Sequence, residues 1–350
     1  MARKAKPEEI VEPDRLEGQP HPREVFSLVG QDAPLLRIAR AIRSGRPPQA
    51  LLISGPPGIG KATFAYRVAR YMLRYGASAE GPEDLSVAPN DPVAMQVTAG
   101  AHPGLLALKR GLNDSGKLMT VLSVAEIRKL AGFFGMTSGA GGWRIAIIDT
   151  ADDMNDNAAN ALLKALEEPP SRAMLMLLAN TPGRLLPTIR SRCQRLDLKP
   201  LAERELETEL AERLPDMGDN ERAMLARLAG GSLGAALALA SDDGLAIAAD
   251  AERLIDNIAS PDMAGVFALA ERLSRMTDGT ERFGDFLLQT LADRIRKRAI
   301  SGAARLDRWS EVLEKLKSSF LRTDALHLDP RQTLLSASRA LAQTARGRAL

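Results

Sequence analysis

Apolar runs alternate with helix-like segments along the chain up to residue 198. The runs are short and aliphatic, which is typical of buried strands. They are ALLISG (50–55), LLALKR (105–110), RIAIIDT (144–150), AMLMLLAN (173–180) and CQRLDL (193–198). Between them, apolar positions at helical spacing predict helices over 31–46, 62–75 and 155–170, and Ser123 with Glu126 predicts the capped start of another. This alternation predicts an α/β domain with a doubly wound parallel sheet.

The pattern changes at two places. Residues 76–103 are rich in Gly, Pro and Asp, and we predict that they are mostly loop. After Lys199-Pro200 no further strand pattern occurs, and helical patterns continue to the end. We therefore predict four parts: a polar N-terminal tail (1–24), the α/β domain (25–200), a small helical domain (201–243) and a second helical domain (244–350).

Composition and charge narrow the classes of function only slightly. The chain has 350 residues, and its 47 basic and 44 acidic residues leave a net charge of +3, which does not require a nucleic-acid partner. One cysteine, Cys193, excludes an intrachain disulfide framework, and we expect it to be a small buried residue. No apolar run is long enough to span a membrane and no secretory signal precedes the first domain, so we expect a cytoplasmic protein.

The segment GPPGIGKAT (55–63) has the spacing of a phosphate-binding loop, and it lies between a predicted strand and a predicted helix. Backbone N–H groups of such a loop surround phosphates, and Lys61 would reach the terminal ones. Ala62 stands where a hydroxyl normally binds magnesium, and Thr63 is turned about 100° away on the helix. The pattern therefore favours binding of ATP or ADP and argues against ordinary placement of Mg²⁺. The candidate ligand-binding residues are Gly55, Gly58, Ile59, Gly60, Lys61, Ala62 and Thr63.

Asp149 ends the apolar run RIAIID, where a second magnesium-organising carboxylate is expected. Hydrolysing proteins of this broad class commonly carry a glutamate next, but this chain has Thr150. Asp152 or Asp153 could substitute by reaching back along the turn. The alternative is that Asp149 is only the polar end of a buried strand. In either case the residues for hydrolysis are incomplete.

Two further segments, NALLKALEEPP (160–170) and LLANTPGRLLPTIRSRCQRL (177–196), resemble the bacterial clamp-loader branch of the AAA+ ATPases. The resemblance implies that Arg192 is an arginine finger that acts on a neighbouring subunit, and that Asn180 or Thr181 senses nucleotide. It also places Gly234 where ATPase members carry a sensing arginine. The alternative for Arg192 is a structural pair with a carboxylate such as Asp197.

The resemblance also implies partners and an activity. It makes 201–243 a lid and 244–350 a collar, within a hetero-oligomer, pentameric in the family, that contains gamma/tau-like and delta-like subunits and loads a sliding clamp onto primed DNA. It implies an accessory subunit with weak or absent ATPase activity. The family often has a four-cysteine zinc module before the His-Pro pair; His102-Pro103 is present without those cysteines, so no zinc is expected. The rival hypotheses are an active motor ATPase and a small-molecule phosphotransferase.

Overall fold

The computed structural model describes residues 19–111, 119, 121–135, 142–241, 243–276, 279–301, 306–325 and 329–345. Within this part of the chain, five parallel strands form one sheet in the order β2-β3-β4-β1-β5. The strands are β1 (Ala50–Ser54), β2 (Leu105–Leu108), β3 (Arg144–Ile148), β4 (Ala173–Ala179) and β5 (Gln194–Asp197). All five coincide with the predicted apolar runs.

Helices connect the strands and are the main elements of the described chain after β5. They are α1 (Asp32–Arg43), α2 (Lys61–Tyr75), α3 (Pro92–Thr98), α4 (Val124–Gly135), α5 (Asp156–Glu167), α6 (Pro187–Arg192), α7 (Glu203–Arg213), α8 (Asp219–Leu228), α9 (Leu233–Ser241), α10 (Gly244–Asp256), α11 (Met263–Ser274), α12 (Gly279–Ile300), α13 (Asp307–Ala325) and α14 (Pro330–Ala345).

The sheet is covered on both faces, because its strands send alternate side chains to opposite sides. In β3, Ile145 and Ile147 belong to the core shared with α1, α2 and α3, whereas Ala146 and Ile148 belong to the core shared with α4, α5 and α6. Cys193 lies in the second core, as expected for a small buried residue, and burial raises the pKa of its thiol to about 11. The predicted α/β class with a doubly wound parallel sheet is confirmed.

Local signals explain the ends of several elements. The Ser123 hydroxyl accepts a hydrogen bond from the Glu126 N–H at 3.3 Å, which confirms the predicted cap of α4. Residues 76–103 are mostly loop, as predicted, but Pro92–Thr98 forms helix α3, which the sequence did not indicate. The Asp91 carboxylate caps this helix by accepting from the Val93 N–H at 2.8 Å, and proline occupies its first position. An Asp-Pro pair, counted as a loop signal, also starts helices.

The described chain divides into two compact units. The first contains the sheet, runs to Asp216 and takes in Ala229–Leu237; the second comprises Met217–Leu228 and the residues from Ala238 onward. In the second unit, α10 packs on α12, and α11 and α13 pack on α14. No strand follows Asp197 among the residues described. The division into lid and collar at residue 243 stays a prediction.

Two features are absent from the residues that the structure describes. None of the helices there is long and apolar enough to cross a membrane. No cluster of His, Cys, Asp and Glu side chains in the same residues has the composition of a metal site.

Candidate functional site

The phosphate-binding loop lies between the carboxyl end of β1 and the start of α2. Two of its glycines have left-handed backbone conformations, with φ of +71° at Gly58 and +97° at Gly60. Residues with a Cβ rarely adopt such angles, so these two positions require glycine. The loop leads directly into the amino end of a helix, where backbone N–H groups and the helix dipole favour an anion.

Lys61 is buried at the centre of this loop. Its ammonium donates to the carbonyls of Gly55 and Pro56, at 2.8 and 2.7 Å, and to the side-chain oxygen of Asn180 at 2.6 Å. Burial lowers the pKa of Lys61 from 10.5 to about 8, although the nearby carboxylates of Asp149 and Asp152 oppose this shift. The structure therefore brings together Lys61, Asn180 and Asp149, which the sequence had placed far apart.

The two positions that would organise magnesium also lie together, because Ala62 and Asp149 line one cavity of about 280 Å³. Ala62 offers no oxygen to that cavity. Thr150, which follows Asp149, has φ of +50°, an uncommon conformation for a β-branched residue, and its N–H donates to the Asp149 carboxylate at 2.9 Å. The turn after β3 is therefore strained, and it carries no glutamate.

Asp152 and Asp153, the possible substitutes for that glutamate, have structural partners. The buried Asp152 carboxylate accepts hydrogen bonds from the backbone N–H groups of Asn180, at 3.1 Å, and Thr181, at 2.7 Å. The Asp153 carboxylate lies 3.4 Å from Arg110 and 3.6 Å from Arg184. Asp152 therefore holds the turn after β4 in place, and neither carboxylate is presented as a base for water.

Residues 231–235 pack directly against the phosphate-binding loop. The Gly234 N–H donates to the Gly58 carbonyl at 2.9 Å, and the Ser232 hydroxyl donates to the Pro57 carbonyl at 2.8 Å. A Cβ on Gly234 would lie 2.8 Å from both the Cα and the carbonyl oxygen of Gly58. Position 234 therefore has no room for a side chain, which gives a physical reason for the glycine there.

Arg192 lies at the end of α6, with a side chain that is 38% exposed. Its guanidinium donates to the Thr188 carbonyl at 3.0 Å and to the Glu167 carboxylate at 2.9 Å. This contact agrees with the alternative in which Arg192 pairs with a carboxylate, except that the carboxylate is Glu167, whereas Asp197 accepts a hydrogen bond from the Ser54 hydroxyl. Arg192 is therefore an accessible arginine held by a carboxylate at the surface.

The first part of the chain is similar in sequence to known proteins. Residues 30–202 match the family model described as "DNA polymerase III, delta subunit". DNA polymerase III subunit delta' of Pseudomonas aeruginosa is 38% identical over 185 residues, covering 52% of this chain and 53% of that protein. Subunit delta' of Escherichia coli is 34% identical, covering 59% of each chain. Over residues 30–202, the chain is therefore similar to the delta' subunits of DNA polymerase III.

The similarity to the delta' subunits covers only part of the chain. The matched segments span little more than half the length of these two relatives. DNA polymerase III subunit gamma/tau of Mycobacterium bovis aligns with more of this chain, 86% of it, and with 54% of its own length, but is only 27% identical. The delta-prime relatives are therefore more similar in sequence, and the gamma/tau relative shows that a similarity extends into the second unit.

The donor groups of this site fit a phosphate better than a magnesium ion. The loop supplies backbone N–H groups and a buried ammonium, both suited to phosphate oxygens. Mg²⁺ needs oxygen ligands. The Ala62 side chain has no oxygen, and Asp152 already accepts from two backbone N–H groups. The set of residues thus supports binding of phosphate but does not reproduce the usual metal site.

Several residues of the site were not found from the sequence. Glu167 lies in the quoted segment NALLKALEEPP, where two carboxylates and two prolines indicate an exposed helix end but not its partner. The sequence indicates Asp152 only as a possible base and not as the acceptor for the Asn180 and Thr181 N–H groups. Ser232 carries no sequence signal for its bond to the phosphate-binding loop, since 175 positions separate Ser232 from Pro57.

Proposed function

We propose that this chain is the delta-prime-type subunit of a DNA polymerase III clamp loader and that it does not itself hydrolyse ATP. In this proposal it joins gamma/tau-like and delta-like subunits in a pentameric ring. It donates Arg192 to the ATP site of an adjacent subunit. The ring's ATP cycle then opens a sliding clamp and places it on primed DNA.

The observation that carries the proposal is the position of Arg192 relative to its own phosphate-binding loop. In the parallel pairing of β1 with β5, Leu51 lies opposite Gln194, so Arg192 is level with position 49. Gly55, where the loop begins, lies six residues farther along β1, or about 20 Å at 3.3 Å per residue. Arg192 and the loop are therefore at opposite edges of one sheet. Arg192 is therefore too far from its own loop to contact a phosphate bound there. If it contacts a phosphate, that phosphate is bound by another subunit.

The loop supports the second half of the proposal. It keeps Lys61 and the two left-handed glycines, so it can hold the phosphates of ATP or ADP. Asn180, proposed as the sensor, is bonded to Lys61 directly. Ala62, Thr150 and Gly234 replace three groups on which hydrolysis depends. Binding without turnover is the activity that such a combination supports.

The rival hypothesis of an active motor ATPase required Asp152 or Thr63 to take over missing roles. The bonds of Asp152 to the backbone of Asn180 and Thr181 count against it as a base. We therefore retain the non-hydrolysing subunit as the proposal. Residues 244–350, which the gamma/tau relative also matches in part, are proposed as the collar through which the subunit assembles.

The proposal is tested first by ATP turnover of the isolated, full-length chain. We expect turnover far below about 1 s⁻¹, the low end of the usual range for enzymes, because the water-activating and metal-binding groups are missing. Phosphate release is measured alone and with the gamma/tau-type ATPase of the same organism. Turnover near 1 s⁻¹ by the chain alone, abolished by Lys61→Ala, would contradict the proposal.

The pKa of Lys61 provides a test of nucleotide binding that does not depend on turnover. A phosphate binds the protonated ammonium, and the pKa of the free site is about 8. Affinity for ADP is therefore expected to be highest below pH 8 and to weaken as the pH rises through that value, since deprotonation removes the charge that attracts phosphate. Titration of a fluorescent ADP analogue between about pH 7 and pH 9 measures this slope.

Lys61→Ala is the control for that titration, because it removes the titrating group and leaves the glycines. Its weaker affinity is expected to vary less with pH than that of the unchanged protein. Equal slopes in the two proteins would show that Lys61 does not contact the phosphate.

A further inference from the structure

Glu167 and Arg192 come from different elements but meet at the same edge of the sheet. Glu167 is the last residue of α5, which begins after the turn that follows β3 and returns over twelve residues, about 18 Å, to the edge where β4 starts. Arg192 ends α6, just before β5 begins. Pro169 and Pro170 follow and prevent α5 from continuing, so the backbone position of Glu167 at the helix end is fixed.

The two bonds of the Arg192 guanidinium restrict its orientation. One terminal nitrogen donates to the Thr188 carbonyl of its own helix, and the other donates to Glu167 Oε1. A guanidinium carries more N–H groups than these bonds use, so donors remain for a second anion. An arginine side chain that is already oriented loses less rotamer freedom when it engages a phosphate.

From this geometry, and resting on the proposed finger role of Arg192, we propose that Glu167 is a positioning residue for Arg192. Its carboxylate holds the guanidinium at the edge of the sheet. The remaining N–H groups can then contact the terminal phosphate of the ATP that a neighbouring subunit binds. Glu167 touches neither nucleotide nor metal in this role. It acts only through Arg192, and this restriction makes the proposal testable.

The test is a double-mutant cycle in the reconstituted loader, built from this full chain and its partner subunits. Clamp- and DNA-stimulated ATP hydrolysis is measured with Glu167→Gln, Arg192→Ala and both together. Exposed ion pairs contribute modestly, so Glu167→Gln alone is expected to lower kcat about 1.5- to 5-fold, with the KM for ATP unchanged. In the Arg192→Ala background the same change is expected to have no effect, because the group through which it acts is gone.

Two controls separate positioning from a general structural effect. Glu168→Gln makes the same chemical change one residue farther on, outside the described ion pairs, and should leave kcat unchanged. Thermal unfolding of the isolated chain should give the same midpoint for Glu167→Gln and Glu168→Gln. A lower midpoint for Glu167→Gln with an equal loss of kcat in both backgrounds would make Glu167 structural and overturn the inference.

The outcomes also distinguish this inference from the proposed function. If Glu167→Gln leaves kcat unchanged or raises it while Arg192→Ala lowers it, the finger role stands and the positioning role is wrong. If Arg192→Ala itself has no effect in an assembled loader, the finger role fails and the inference fails with it.

Discussion

In the proposed loader, replacement of Arg192 by alanine is expected to abolish hydrolysis at the ATP site to which this arginine is donated. Arginine fingers of other phosphate-loop enzymes contribute roughly 10³–10⁵ in rate, because the planar guanidinium stabilises charge that develops on the transferred phosphate. The total clamp- and DNA-stimulated ATPase should fall by at least that site's share. Folding and assembly should be unchanged, since the bonds of Arg192 to Glu167 and Thr188 lie at the surface.

Three measurements test the finger role of Arg192: ATPase activity, clamp loading on primed DNA and the mass of the assembled complex. Arg192→Lys should restore little, because a lysine provides one point charge instead of the planar pair of donors. Arg190→Ala is the matched control, since it removes an arginine from the same short helix and should leave the ATPase near its original value. An assembled Arg192→Ala loader with unchanged ATPase and clamp loading would refute the finger role.

Gly234→Arg is expected to destabilise the protein without restoring hydrolysis, although it supplies the residue type that ATPase members carry at this place. The new Cβ would lie 2.8 Å from the Cα and carbonyl oxygen of Gly58, and these are backbone atoms of a loop that already has left-handed glycines. Overpacking of this kind costs about 1–3 kcal/mol of unfolding free energy. The hydrogen bond from Gly234 to Gly58 would also be strained.

Chemical denaturation measures the loss of stability, and phosphate release measures turnover. Gly183→Arg is the matched control, because a Cβ on Gly183 meets nothing within 4 Å. Gly234→Ala should lose much of the same stability, since the clash begins at the Cβ. A Gly234→Arg protein that is as stable as Gly183→Arg, and that hydrolyses ATP, would show that position 234 is an eroded sensor rather than a packing site.

The positions of the strands and of the phosphate-binding loop could be predicted because their signals are local. A continuous apolar run such as RIAIID is typical of a central strand of a parallel sheet, which is buried on both faces, so its composition alone predicts the strand. The spacing of Gly55, Gly60 and Lys61 likewise fixes the loop within nine consecutive residues. Helix α3 was missed because Asp91 and Pro92 favour both loops and helix starts, and local composition does not distinguish the two.

The roles of the acidic residues depended on tertiary structure. The sequence alone offered Asp152 as a base and Asp197 as a partner for Arg192. The fold instead brings Asp152 to the backbone of Asn180, 28 positions away, and Glu167 to Arg192, 25 positions away. A carboxylate can pair with any cation or N–H group that the fold brings within reach, so its partner is not encoded in nearby residues.

By itself, then, the sequence determined the α/β class, the phosphate-binding loop, and the absence of hydrolytic residues at Ala62 and Thr150, since each depends on residue types at fixed spacing. Only the tertiary structure decided that Gly234 packs on Gly58 and that Arg192 lies at the sheet edge opposite its own loop. Both facts arise from strand order and from the return of distant segments. Strand order and the contacts between distant segments depend on burial of the whole core, not on any short stretch of the chain.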